Sequence, residues 1–468
     1  MATGQRPNSS ALAEVIRLRP FRRLWLVFGL SSLGDWLGLL GTSLFASAQM
    51  SSPAAQGAAF GAIIAVQLLP SLVLGPVAGL LADRLDRRRT MVVVDVARFL
   101  LFASIPTAAL LSDSDALVVG WAGIASFAAQ AGAMVWNPAK EAAVPNLIPR
   151  HRLETANQLT IITTYGITPV LAALFFAAVA RLPSLGSTDA AAFALFFNAL
   201  TFLASAAVVY FGVPEISGRP SAVTAPAETS REALRTGWLY LTGTPLLRGL
   251  TIGLLGAFTG AGIVVGGARF YSRSLGGGDA TFALLFAGLF IGFGLGVLAG
   301  PRLAGQVPRR VVFGLSVQLA GLAVVLLSVT ARPAVALGEV VVVGFGAGLA
   351  FLCGITLIGG EVDDAVRGRV FAFVQTAARA MLLLAVAAAG ALAGAGSPHQ
   401  AVLGPWSVSL ADSRLLYAVA GLSGIVVGLV ALRQMAGEDL VSLGRAGWRA
   451  LARRPKDNRN ESPGRGAR

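Results

Sequence analysis

The chain has 468 residues, 55% of them apolar and only 13% charged, with a mean hydropathy of +0.72. Soluble globular proteins carry about 45–50% apolar and about 25% charged residues, which excludes an ordinary soluble enzyme. The net charge of +14 comes mainly from arginines in short clusters between apolar runs, a pattern of membrane topology and not of a nucleic-acid-binding face.

A helix needs about 20 apolar residues to cross the hydrocarbon, and lipid-exposed backbone must bond within its own segment. Residues 1–23 form a polar tail with Arg17, Arg19, Arg22 and Arg23, and the apolar run behind it is too long for a signal h-region, so the first span is expected to be retained. Twelve runs follow, near 24–49, 57–81, 91–111, 116–138, 155–180, 190–213, 248–272, 280–300, 311–330, 334–358, 370–396 and 412–434. Basic connections alternate with connections poor in Lys and Arg along the whole chain. The basic ones include Arg84 to Arg89, Lys140 to Arg152, Arg302 to Arg310 and Arg367 to Arg369. The positive-inside rule then places both termini in the cytoplasm of a multi-pass plasma-membrane protein.

The longest polar connection, 214–247, divides the runs six and six. Its first part is rich in Pro, Ser and Ala. Its second, Arg231 to Leu241, has the pattern of an amphipathic surface helix with Leu234, Trp238 and Leu241 on one face. The expected organisation is an all-α membrane protein with a first six-helix unit at 24–213, a linker, a second unit at 248–436 and a basic tail at 437–468. A single cysteine, Cys353, permits no intramolecular disulfide, and His151 and His399 fall in separate loops. No metal cluster, nucleophile–base pair or phosphate loop is visible, so neither a cofactor nor enzymatic activity is expected.

Behind the second run stands Gly75-Pro-Val-Ala-Gly79-Leu-Leu-Ala-Asp83-Arg84-Leu-Asp-Arg87-Arg88-Arg89. Glycines four apart let helices approach closely, and an acid at a helix end can face a helix N-terminus or an arginine. This element resembles the signature between the second and third helices of the major facilitator superfamily. The resemblance implies two six-helix bundles, a secondary transporter, and a gating role for Gly75, Gly79, Asp83, Arg84, Arg87 and Arg88. A weaker copy, Gly296-Val-Leu-Ala-Gly300 ending in Arg309-Arg310, has Ala304 in place of the acid. It fits the internal repeat of such folds and implies a weaker second latch.

The stretch Asn137-Pro138-Ala-Lys140-Glu-Ala-Ala-Val-Pro145-Asn-Leu-Ile-Pro149 is similar to the loop between helices four and five in the macrolide and siderophore exporters, which are proton-coupled drug antiporters. The opening Arg19-Pro-Phe-Arg-Arg-Leu-Trp and Ser32-Leu-Gly-Asp-Trp also look like the membrane portion of actinobacterial thymidylate-kinase fusions. One departure is in the fifth span, where Gly166-Ile-Thr168-Pro169 stands in place of the Gly-Pro pair with flanking glycines found in many antiporters.

Ionisable residues inside spans are costly and mark functional candidates. Asp35 lies roughly 16 Å into the first span, near mid-depth, and suits proton coupling or a bond to a neighbouring helix. Arg379 in span eleven can counter an anionic substrate or pair with Asp35. Glu339 in span ten lies nearer the outer surface and is a weaker coupling candidate. Asp95 and Arg98 share a helical face and read as a structural charge network. Arg269 is expected to snorkel outward. The expected partners are a small-molecule substrate, protons and the lipid bilayer, without nucleic acid, and the expected state is a monomer. Three readings stay open: proton-coupled efflux of a small amphipathic compound, a facilitator or importer of a nucleoside-like metabolite, and a non-transporting membrane scaffold. Cysteines introduced beside Arg88 and Arg310 are expected to react with an impermeant thiol reagent from the same side of the membrane; reaction from opposite sides overturns the topology.

Overall fold

In a computed structural model the described residues are 14–74, 85–149, 152–216, 238, 240–241, 243–304, 306–395, 399–403, 406–410 and 412–452. Among the described residues, twelve helices are long and apolar enough to cross a membrane. We number them α1 (Arg19–Ala48), α2 (Pro53–Val73), α3 (Arg87–Leu111), α4 (Asp115–Leu147), α5 (Thr155–Val179), α6 (Ser187–Gly212), α7 (Pro245–Ser274), α8 (Asp279–Ala304), α9 (Arg309–Val329), α10 (Pro333–Glu361), α11 (Asp364–Ala395) and α12 (Asp412–Ala452). Gly75, Gly79, Asp83 and Arg84 of the gating element lie outside the described residues, as do positions 217–237 of the linker and the tail from 453.

Local chemistry sets several helix starts. Ser52 caps α2 by accepting from the Ala55 N–H, and Pro53 occupies the first turn, where a missing N–H costs nothing. Helix α2 therefore begins four residues before the expected run. Asp86 caps α3 by accepting from the Arg89 N–H at 2.8 Å. Helix α4 runs on through Pro138 and Pro145 to Leu147, so Lys140 and Glu141, expected in a loop, belong to its wall. One element departs from the all-helical expectation: between α11 and α12 lies an antiparallel hairpin, β1 (His399–Leu403) and β2 (Trp406–Leu410), in the register His399 opposite Leu410.

Among α1–α6, α1 packs on α6, α2 and α5, and α3 packs on α4 and α6. Among α7–α12, α9 packs on α12 and α10, α8 on α10, and α7 on α11 and α12. The two sets meet chiefly along α2 with α11 and α5 with α8. The α2–α11 seam is backbone against backbone. A Cβ added at Gly57 would fall 2.1 Å from the Gly390 carbonyl oxygen, so only glycine allows this approach. Beside the seam Phe60 meets Phe282 edge-on at 5.7 Å, and Trp36 of α1 packs against Phe290 of α8 at 4.7 Å.

The same end of the molecule carries a polar clamp. Arg269 of α7 is 1% exposed. Its Nε donates to Asp279 of α8 at 3.2 Å, and its Nη1 donates to the Ser47 hydroxyl of α1. Ser47 in turn donates to the Gln56 carbonyl at 2.8 Å, and Arg273 donates to the Gln56 side-chain oxygen at 2.7 Å. Arg269 thus turns inward instead of snorkelling outward, because a buried carboxylate and a hydroxyl on the other helix set are both in reach. At the arginine-rich end, several bonds among the described residues join helices of one set. Arg23 bonds the Gly212 carbonyl, Arg152 bonds Glu14 at 2.8 Å, Arg310 bonds Glu361 at 2.9 Å, and Tyr240 bonds Asp363 at 3.1 Å. The clamp joins α1 of the first set to α7 and α8 of the second. Arg269→Leu leaves Asp279 buried and unpaired; by analogy with broken buried ion pairs this is expected to cost about 3–5 kcal/mol, read as a lower unfolding midpoint in detergent.

Candidate functional site

The cavity, about 410 Å³, is walled by Phe28 of α1, by Lys140 and Glu141 of α4, and by Asn157, Thr164 and Tyr165 of α5. Its shape depends on a defect in α5. Residues Thr163–Ile167 form a π-helical turn, followed by Thr168 and Pro169. The wider turn and the missing N–H of Pro169 leave carbonyls without their usual helical donors. Side chains fill the gap. The Trp36 indole donates to the Thr164 carbonyl at 3.0 Å, Thr168 Oγ1 donates to the Thr163 carbonyl at 2.9 Å, and the Ser32 and Thr168 hydroxyls pair at 2.7 Å. Trp25 adds a bond to Thr163 Oγ1 at 2.9 Å. Helix α1 is thereby tied to the irregular middle of α5, with Trp36 reaching on to Phe286 and Phe290 of α8.

Deeper in, the acids and arginines form one network. Arg98 of α3 is 1% exposed and pairs with Asp35 of α1, whose side chain keeps 38% of its surface. Arg98 also lies over the Phe202 ring of α6 at 3.9 Å, and Ser31 accepts from it at 3.5 Å. Asp95, fully buried one turn earlier on α3, accepts from Ser205 of α6 at 2.6 Å and lies within electrostatic reach of Arg98, Asp35 and the Trp136 indole. The expected coupling residue and the expected structural pair are therefore in direct contact. The alternative pairing of Asp35 with Arg379 does not occur. Arg98 takes the carboxylate because α1 and α3 belong to the same packed set, whereas Arg379 stands on α11 in the other.

Arg379 is exposed in the middle of α11 and lies within electrostatic reach of Tyr165. Glu339 is remote from this group. It accepts from Thr330 at 2.8 Å and lies near Tyr271 in the second set. Of the gating residues that are described, Arg88 donates to the Tyr210 carbonyl and sits 5.2 Å above the Tyr210 ring, tying the start of α3 to the end of α6, and Arg87 is half-buried. Sequence reasoning missed Lys140, Glu141 and Tyr165 as cavity residues. Lys140 falls in an expected basic connection because the apolar run ends near 138, whereas α4 continues to Leu147.

Among the described residues, twelve apolar helices in two packed sets, a cavity walled by α1, α4 and α5, and in-span charges fit a polytopic membrane transporter. The chain belongs to the Major Facilitator Superfamily, whose model matches residues 24–386. An uncharacterized MFS-type transporter of Mycobacterium tuberculosis is 30% identical over 404 residues, covering 81% of this chain and 86% of that protein. A second, from Bacillus subtilis, is 28% identical over 223 residues, or 47% of this chain and 48% of its own length. Solved structures with the same fold include the nucleoside transporter NupG in its D323A form (TM-score 0.67, 14% identity, 89% of this chain and 100% of that one) and a D-xylose-proton symporter (TM-score 0.65, 14% identity, 88% and 96%).

Removing the hydroxyl that holds Asp95 leaves a buried carboxylate oxygen without its donor. Ser205→Ala is expected to destabilise the protein by about 1–3 kcal/mol, while Ser205→Thr, which keeps the hydroxyl, retains most of the stability. Thermal unfolding in detergent compares the two, and equal losses would assign the effect to packing instead.

Proposed function

We propose that this chain is a proton-coupled exporter of a small amphipathic compound that works by alternating access. In this reading the arginine-rich face lies in the cytoplasm of the plasma membrane, both termini are cytoplasmic, and the protein acts as a monomer. One observation carries it: Asp35 keeps a share of its surface open while its partner Arg98 is sealed inside the bundle. A proton arriving from solvent meets Asp35 first. Protonation removes the negative charge, leaves Arg98 to Asp95, and loosens the bond between α1 and α3. Helix α1 also holds α5, Phe290 and the clamp through Ser47, so a change at Asp35 is transmitted to the contacts between the two halves. Units 24–213 and 248–436 then rock about the cavity. Arg379 and Tyr165 contact the substrate, and Glu339 serves as a secondary coupling acid. The loop carrying Gly75, Gly79, Asp83, Arg84, Arg87 and Arg88 latches the cytoplasmic side.

The test uses inverted membrane vesicles with an imposed proton gradient and a pH-sensitive dye, screened against a chemically broad library. Compounds exchanged for protons by the wild type are expected to release no protons with Asp35→Asn, while downhill exchange of the same compounds persists. Undiminished proton-driven uptake in Asp35→Asn removes Asp35 from the coupling role. The hydrogen-bonding wall of Asn157, Thr160 and Thr164 favours a second reading, a facilitator or importer of a nucleoside-like metabolite. Transport that continues after the gradient is collapsed selects it. A chain that moves no compound in purified proteoliposomes is a scaffold instead.

A further inference from the structure

Lys140 is the one cavity-wall residue whose charge already sits in a built seat. Its ammonium lies 5.2 Å from the Phe28 ring centroid and 5.4 Å from that of Trp136. Both rings are buried, and they meet edge to face at 6.4 Å and 76°. Two ring faces converging on one cation is the arrangement that holds ammonium groups, at up to about 2 kcal/mol when desolvated. The surrounding charges suit a cation too: Asp35 and Glu141 lie within electrostatic reach of the lysine, and Glu141 shares the cavity wall. Among the described residues Lys140 makes no salt bridge, so its flexible stem can lift the ammonium out without breaking an ion pair there.

We propose that Phe28 and Trp136 form an alkylammonium-binding seat that Lys140 occupies as a tethered stand-in, and that a ligand ammonium enters by displacing it. The lysine then sets specificity. A ligand gains the seat only if it outcompetes a tethered group of the same chemistry, which favours bulky, apolar ammonium compounds over small hydrophilic amines. This rests on the cavity being the substrate site, but it concerns binding and needs no transport. Arg379 on α11 lies within electrostatic reach of Tyr165, which shares the cavity wall.

The experiment is calorimetric and thermal-shift titration of detergent-purified protein with butylammonium, using butanol and butyrate as controls. Lys140→Ala vacates the seat. It is expected to bind butylammonium saturably, with a half-saturating concentration about tenfold below that of the wild type, and to show no such gain for butanol or butyrate. Lys140→Met refills the space with an uncharged chain and is expected to show no gain, and Lys140→Ala combined with Phe28→Leu is expected to lose it. Equal butylammonium binding by the wild type and Lys140→Ala overturns the proposal, as does an equal gain for butanol. Because Lys140→Met keeps the side-chain volume, a fold defect appears as a lowered unligated melting temperature in Lys140→Ala; if it does, Lys140→Ser is titrated in the same way and decides. A wild type that moves no compound in vesicles counts against the transport reading alone and leaves this result standing.

Discussion

A guanidinium sealed inside a helical bundle is expensive unless opposite charge and hydrogen bonds surround it. Arg98 meets that condition through three helices at once: Asp35 on α1, Asp95 on its own helix, and the Phe202 face on α6, with Ser205 holding Asp95 in place. Once Arg98 is fixed, α1 is fixed against α3 and α6. The rest of the first helix set then follows from α1. Trp25, Ser32 and Trp36 anchor the irregular turn of α5, Trp36 crosses to Phe286 and Phe290 of α8, and Ser47 meets the Arg269 clamp. A single helix therefore touches the buried charges, the cavity wall and the seam between the halves.

That arrangement bears on how a local chemical event can reach a distant contact. The charged centre and the clamp lie about twelve residues apart on α1, or roughly 18 Å at the rise of an α-helix. A rigid helix passes on a tilt with little loss, so no chain of coupled side chains is required. The clamp is polar and small, and the seam beside it is bare backbone. Neither interlocks large side chains across the two sets.

Much of the fold was legible because lipid imposes simple demands. Apolar runs of about 20 residues and the arginine alternation located all twelve spans, with most ends shifted by a few residues. Where chemistry overrode the pattern, the reading failed for identifiable reasons. The apolar run ends near 138, yet α4 continues to Leu147, which moves Lys140 and Glu141 from the expected connection to the cavity wall. The π turn in α5 breaks the regular periodicity, so the faces on either side of it could not be aligned from sequence, and Tyr165 was missed. Arg269 was read as a surface cation because its partners, Asp279 and Ser47, lie on other helices. The charged residues themselves are conspicuous inside apolar runs. Their partners are not legible, because the packing of α1 on α3 and α6 is a three-dimensional fact that spacing along the chain does not encode.

The bare-backbone seam between α2 and α11 has a kinetic meaning. Surfaces that mesh through bulky side chains must be unthreaded before they part, and each rotamer change adds to the barrier. Gly57 and Gly390 meet with no such teeth, so a separation of the two helices there would carry little frictional penalty, like plates on a bearing. The hold at this end is shared between the polar atoms around Arg269 and the rings that meet across the sets, Phe60 with Phe282 and Trp36 with Phe286 and Phe290, and of these only the hydrogen bonds are ones that water can replace.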